Sequence, residues 1–187
     1  MAFQELNDLE VLIEGYDPSK VKQQEDLYDK DWKKIVSAKQ NDTILQAEIT
    51  GLEKLRDKNC AVVSVGNIRG YIPMEFAGAK NLKELRTLAG KKVVFKVLEY
   101  IEEDDRRIFM ASRIEAQKEM AKVTLKRINE GDTILAVVQQ VTPYRVVADI
   151  GGIEVSIPLE EIRHGWIDDL TEEVKVGDHL RVKVLSI

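Results

Sequence analysis

The chain repeats itself. "NDTIL" at Asn41–Leu45 returns as "GDTIL" at Gly131–Leu135, "VGNIRGYIP" at Val65–Pro73 as "IGGIEVSIP" at Ile150–Pro158, and "FKVLEY" at Phe95–Tyr100 as "VKVLSI" at Val182–Ile187. Three matched blocks in one order, at offsets of 90, 85 and 87 residues, are two copies of one unit whose loops differ in length. This constrains the fold more than any single motif. It divides the chain into residues 1–40, a first unit at 41–112, a connector at 113–130 and a second unit at 131–187.

Each unit reads as strands. In the second, Asp132–Val141, Arg145–Ile150 and Ile153–Pro158 alternate apolar and polar residues, and Gly151-Gly152 joins the last two in a tight turn. The alternation points Ile153, Val155 and Ile157 inward and Glu154, Ser156 and Pro158 outward. After the irregular "LEEIRHGWIDDL", a fourth strand follows the turn at Gly177-Asp178. The first unit adds "RRIFMAS", Arg106–Ser112, as a fifth strand after the acidic turn "EEDD"; the second is expected to lack that strand, because the sequence reaches Ile187 where the corresponding turn would begin. Short antiparallel strands with polar turns form small barrels.

Between the units, "SRIEAQKEMAKVTLKRINEG" reads as a helix opened by a Ser112/Glu115 capping box and stopped by Gly131. Ile114, Ala121, Leu125 and Ile128 share the face expected to pack, while Lys118, Lys122 and Lys126 form a solvated stripe. The leader is acidic and helical, with Phe3, Leu6 and Leu9 on one stripe and Leu27, Trp32 and Ile35 on another. The expected fold is mainly β: two tandem antiparallel barrels joined by an α-helix, with a helical N-terminal leader.

Several function classes drop out. No apolar run approaches a spanning length, and "MAFQELNDLE" lacks the basic start and apolar block of a signal peptide. Cys60, the one cysteine, sits inside "CAVVSV" and reads as a buried thiol in a reducing compartment, hence a cytoplasmic protein. His164 and His179 have no cysteine or carboxylate at ligand spacing, "EEDD" reads as a solvated turn, and neither a nucleophile motif nor a phosphate-binding glycine loop is present. No enzyme, metal or cofactor is expected. The net charge is −5, yet residues 38–116 carry 14 basic against 12 acidic side chains. Binding to a polyanion must therefore arise from local geometry rather than bulk charge.

The run "GDTILAVVQQVTPYRVVADIGGIEVSIPLEEI", followed by "VKVGDHLRVKVLSI", resembles the RNA-binding repeat of the ribosomal protein S1 family, without a gap from Gly131 to Ile162. "LAGKKVVFKVLEYIEEDDRRIFMASRIEAQKEM" is similar to the end of such a repeat. The resemblance implies OB-type barrels that bind single-stranded RNA across their second and third strands. By the same resemblance, the first stacking aromatic falls on Tyr144 and on Asn59, and the second on Val147 and Val62. The third-strand histidine falls on Pro158 and Pro73. The fifth-strand arginine falls on Arg107, with Glu102 or Glu103 as its acidic partner. The glycine after the first aromatic is Arg145 here, and the third-strand glycine is kept as Gly70 but replaced by Val155.

The residues themselves add to this set. Tyr71 has outward parity on the first unit's third strand, with Arg69 before it, and is expected to supply the ring that Asn59 does not. Lys54, Arg56 and Lys58, in the hairpin "GLEKLRDKNC", stand where they could meet phosphates. The expected partner is single-stranded RNA, such as mRNA, in translation or mRNA handling, with the small ribosomal subunit reached through the leader and no membrane. The competing reading is a protein-docking module on the ribosome or an RNA-processing complex, with little RNA affinity of its own.

Overall fold

The computed structural model describes residues 15, 17–103, 106–162 and 170–187. The stripe at Phe3, Leu6 and Leu9, and His164, lie outside the described residues. No helix among those described is long and apolar enough to cross a membrane.

Helix α1 spans Pro18–Gln40. Asp17 caps it by accepting the Ser19 N–H at 3.0 Å, and Pro18 at the first turn has no N–H left to orphan. Trp32, Ile35 and Ala38 are buried and join the core of the first unit. The second half of α1, from Tyr28 to Ala38, thus contributes to that core.

That core lies in a closed barrel. Strands β1 (Ile44–Leu55), β2 (Lys58–Val65), β3 (Ile68–Pro73), β4 (Lys92–Glu103) and β5 (Arg106–Ser112) close in the order β1-β2-β3-β5-β4, with β3 and β5 parallel and every other pair antiparallel. Short helices α2 (Met74–Ala77) and α3 (Leu82–Thr87) lie between β3 and β4. Phe95 and Phe109 stack inside, 5.8 Å between ring centres, and are fully buried. Gly70 makes room for them, because a Cβ there would come within 2.1 Å of the Phe109 ring. In the second unit Val155, at the position that matches Gly70 in sequence, packs on the core itself.

Helix α4, Arg113–Arg127, follows directly, its N–H of Glu115 bonded to Ser112 Oγ at 3.2 Å. It ends before Gly131, earlier than expected. Asn129 N–H turns to the Asp132 carboxylate at 2.8 Å, and Gly131 N–H already pairs with Val184. The expected packing face is only partly covered: Ile114 and Ala121 are half-buried, whereas Leu125 is 53% exposed.

The second unit is a four-stranded sheet, β8-β7-β6-β9, built from β6 (Thr133–Val141), β7 (Arg145–Asp149), β8 (Glu154–Pro158) and β9 (His179–Lys183). Helix α5, Leu159–Ile162, follows β8. The pairing of β6 with β9 copies that of β1 with β4, and both first strands carry a bulge at the same place, between Ile49 and Gly51 and between Val138 and Gln140. Among the described residues β8 and β9 are edges, so this sheet does not close. Val155 and Ile157 face its core and Glu154, Ser156 and Pro158 are exposed, as the alternation requires.

The two units meet through α4. The β7–β8 turn lies against it, with Thr124 Oγ1 donating to the Gly151 carbonyl at 2.7 Å. Gly152 has φ +83°, and a Cβ there would stand 2.4 Å from the Gln117 carbonyl oxygen. Only glycine satisfies both the left-handed backbone and the approach.

Candidate nucleic-acid interface

Among the described residues, the turn from β6 to β7 carries the most accessible aromatic. Thr142 Oγ1 accepts the Arg145 N–H at 3.2 Å and the Thr142 N–H donates to the Arg145 carbonyl at 3.0 Å, so Pro143 and Tyr144 form the tip of a pinned turn. Tyr144 is 77% exposed. Its carbonyl accepts the Leu159 N–H at 3.0 Å, which ties the tip to the start of α5. Arg145 pairs across the sheet with Pro158, and Val147 with Ser156, which puts a cation and a shallow apolar strip on one outward face directly after the Tyr144 tip. A ring fixed at its backbone and bare on its faces can stack a base, and a neighbouring guanidinium can meet a phosphate.

The matching face of the first unit is different. Tyr71 does have the outward parity expected of it, but it is only 7% exposed. It sits between Val62 on β2 and Met110 on β5, in a small apolar cluster with Cys60, and its hydroxyl donates to Glu53 at 3.3 Å. The expectation of an open stacking ring there is therefore corrected. Parity chose the right face, but the fifth strand and the β2 residues enclose the ring. Arg69 is drawn into the same network, 2.9 Å from Glu53. The Tyr71 hydroxyl and the Glu53 carboxylate hold its guanidinium above its ordinary value. Cys60 is fully buried, and burial pushes its thiol up.

The basic hairpin is split. Arg56 and Asp57, with φ of 49° and 63°, form the two-residue tip between β1 and β2. Lys54 and Arg56 are exposed there, whereas Lys58 pairs with Glu75 at 2.8 Å, and that contact raises its pKa.

Arg107 is the most heavily engaged of the expected contacts. It pairs with Asp29 of α1 at 2.5 Å and with Glu102 at 2.8 Å, and its guanidinium lies 5.3 Å from the Tyr28 ring centre and 5.6 Å from that of Trp32. The acidic partner is therefore Glu102, of the two carboxylates expected. The hydrogen bond that Arg107 donates to Asp29, and then that to Glu102, hold the guanidinium above its ordinary value against the opposing effect of burial. Sequence reasoning missed the Asp29 pairing entirely.

A closed five-stranded barrel with parallel β3 and β5, beside a sheet of the same pairing order, defines a protein of the OB-like class. The comparison with known families agrees: residues 127–187 match the S1 RNA binding domain, and the chain belongs to the S1 family. It is 30% identical over 149 residues to small ribosomal subunit protein bS1 of Staphylococcus epidermidis, and 29% and 30% identical over 149 residues to the bS1 proteins of Staphylococcus aureus and Staphylococcus haemolyticus. Each match covers 79% of this chain and 37% of the relative, so the chain spans little more than a third of the length of these proteins.

Proposed function

We propose that this chain binds single-stranded RNA, as a non-catalytic protein related to ribosomal protein S1 that acts in translation or mRNA handling. The observation that carries the reading is Tyr144. It is an exposed ring on a pinned turn beside Arg145, and it lies inside the stretch matched by an RNA-binding domain. The second sheet is then a second copy of the S1-type unit, α4 the stiff connection between copies, and residues 1–40 a leader that reaches the small ribosomal subunit.

Within this reading the second unit supplies the stacking contact. Lys54 and Arg56 at the tip of the first unit's hairpin add phosphate contacts. Lys58, Arg69 and Arg107 already hold carboxylates and would have to exchange them for phosphate. The protein-docking alternative has less support, because the matched domain and the curated relatives are of an RNA-binding family. Fluorescence anisotropy with an unstructured oligonucleotide at two salt concentrations tests the proposal: submicromolar binding that weakens with salt supports it, and no binding at low salt refutes it.

A further inference from the structure

Where the two units face each other, a cleft of about 580 Å³ opens between the β1–β4 corner of the barrel and the β6–β9 corner of the second sheet. These corners are equivalent in the two copies. Ile49 N–H bonds the Lys91 carbonyl and Gly90 N–H bonds the Ile49 carbonyl; Val138 with Asp178, and Gly177 with Val138, repeat the pattern. The turns Gly90-Lys91-Lys92 and Gly177-Asp178-His179 therefore look at one another across the gap, and Arg113 from the first turn of α4 joins its lining.

Two cations in this cleft stand out from the others in the protein. Lys58, Arg69, Lys96 and Arg107 each have a carboxylate within 4 Å, while Lys91 and Arg113 are half-buried and have none among the described residues. Their hydrogen bonds go to carbonyls. Lys91 Nζ donates to Gln139 at 3.1 Å, at the β6 bulge, and Arg113 Nη1 donates to Ala77 at 3.0 Å. Burial first, then for Lys91 the repulsion of Arg113, pushes both groups below their ordinary values. Two acids share the lining: Asp149, which accepts the N–H groups of Gly151 and Gly152 and attracts Arg113, and exposed Glu154, which attracts both cations, but neither closes to an ion pair with them. Charge held half out of water without a direct ion pair is costly unless something completes it.

We propose that this cleft binds a phosphate group, with Lys91 and Arg113 as its counter-ions and Lys92 at its rim. Its volume suits a nucleotide-sized ligand, and Gln46, Gln117 and Gln139 supply further polar lining. The phosphate can belong to an RNA strand, in which case the inference rests on the function proposed above, or to a free nucleotide or polyphosphate. Strand β6 and its turn lead from Gln139 to Tyr144 within a span of roughly 16 Å at 3.3 Å per residue, so one continuous RNA strand can touch both.

The experiment compares the parent protein with Lys91→Gln/Lys92→Gln, using Lys118→Gln, on the exposed stripe of α4, as the control. In one arm the affinity for an unstructured RNA oligonucleotide is measured across a salt series. The paired variant is expected to flatten the slope of log affinity against log salt by about 1.4, that is about 0.7 for each of two phosphate contacts, and the control to leave it unchanged. In the other arm the amide resonances of Gly90, Lys91, Gly177 and His179 in the parent are followed during titration with inorganic pyrophosphate, which needs no variant to fold. Loss of slope identifies an RNA phosphate. An unchanged slope with saturable amide shifts identifies a free phosphate ligand, and this arm stands even if the protein binds no RNA. An unchanged slope together with unmoved amides overturns the proposal.

Discussion

Arg107 of β5 and Asp29 of α1 lie 78 positions apart in sequence and 2.5 Å apart in space, with the Trp32 and Tyr28 rings beside the guanidinium. The arginine that family resemblance assigns to RNA is thus engaged by the protein's own helix. Arg107→Ala is expected to lower stability by about 1 to 2 kcal/mol, from a partly exposed ion pair and two cation–π contacts. RNA affinity should change less than twofold. Urea denaturation and anisotropy on the same sample check both; a tenfold loss of affinity with intact stability would show that Arg107 leaves Asp29 to bind RNA.

Gly152 makes a sharper structural test. Gly152→Ala places a methyl against the Gln117 carbonyl in a backbone region that alanine avoids, so the β7–β8 turn should lift from α4 at a cost of about 2 kcal/mol or more. Amide hydrogen exchange should quicken in β7, β8 and the middle of α4 and stay unchanged in β1–β5. Uniform acceleration would mean that the two units unfold as one.

Lys96 is 6% exposed and pairs with Asp42 at 2.6 Å and with Glu119 of α4, whereas both carboxylates are much more open. Removing the lysine lets the acids return to water; removing the acids strands a buried cation. Lys96→Met is therefore expected to cost about 1 kcal/mol, and Asp42→Asn with Glu119→Gln about 3 kcal/mol, at pH 7. The hydrogen bond to Asp42, then that to Glu119, raises the folded lysine above its ordinary value of 10.5. Its contribution is thus fully present below pH 10.5 and is lost as pH rises through the folded value above that. Urea midpoints at pH 7, 9 and 11 should show the gap between parent and double variant narrowing only at the highest pH. A gap already narrower at pH 9 than at pH 7 would contradict the assignment.

Much of this architecture was legible in the sequence because a duplicated strand pattern leaves a period-two signature twice. The parity of β8 follows from it directly, the bounds of β5 from the alternation in "RRIFMAS", and the Ser112 cap of α4 from its capping box with Glu115. What parity cannot report is cover. It put Tyr71 on the outward face, but whether that face is open depends on Met110 of β5 and Val62 of β2, which reach it through pairing. The Arg107–Asp29 contact was illegible for a related reason, since α1 meets the barrel only in three dimensions. Lys91 and Arg113 were hidden because an unpaired cation is recognised by the missing carboxylate, which is a property of packing rather than of sequence spacing. Tyr144 was legible because the Thr-Pro-Tyr-Arg turn specifies its own geometry locally.

If the ring at the β6–β7 tip stacks on RNA as proposed, Tyr144→Ala will weaken binding to an unstructured oligonucleotide measured by anisotropy. Its side chain is exposed and the turn is pinned by Thr142, so the fold should be unaffected, as a thermal melt on the same sample will show. The expected loss of affinity is about 1 to 3 kcal/mol, roughly 5-fold to 150-fold, with Tyr144→Phe close to the parent and the salt slope unchanged, because stacking releases no counterions. A Tyr144→Ala protein that melts and binds like the parent would contradict the account.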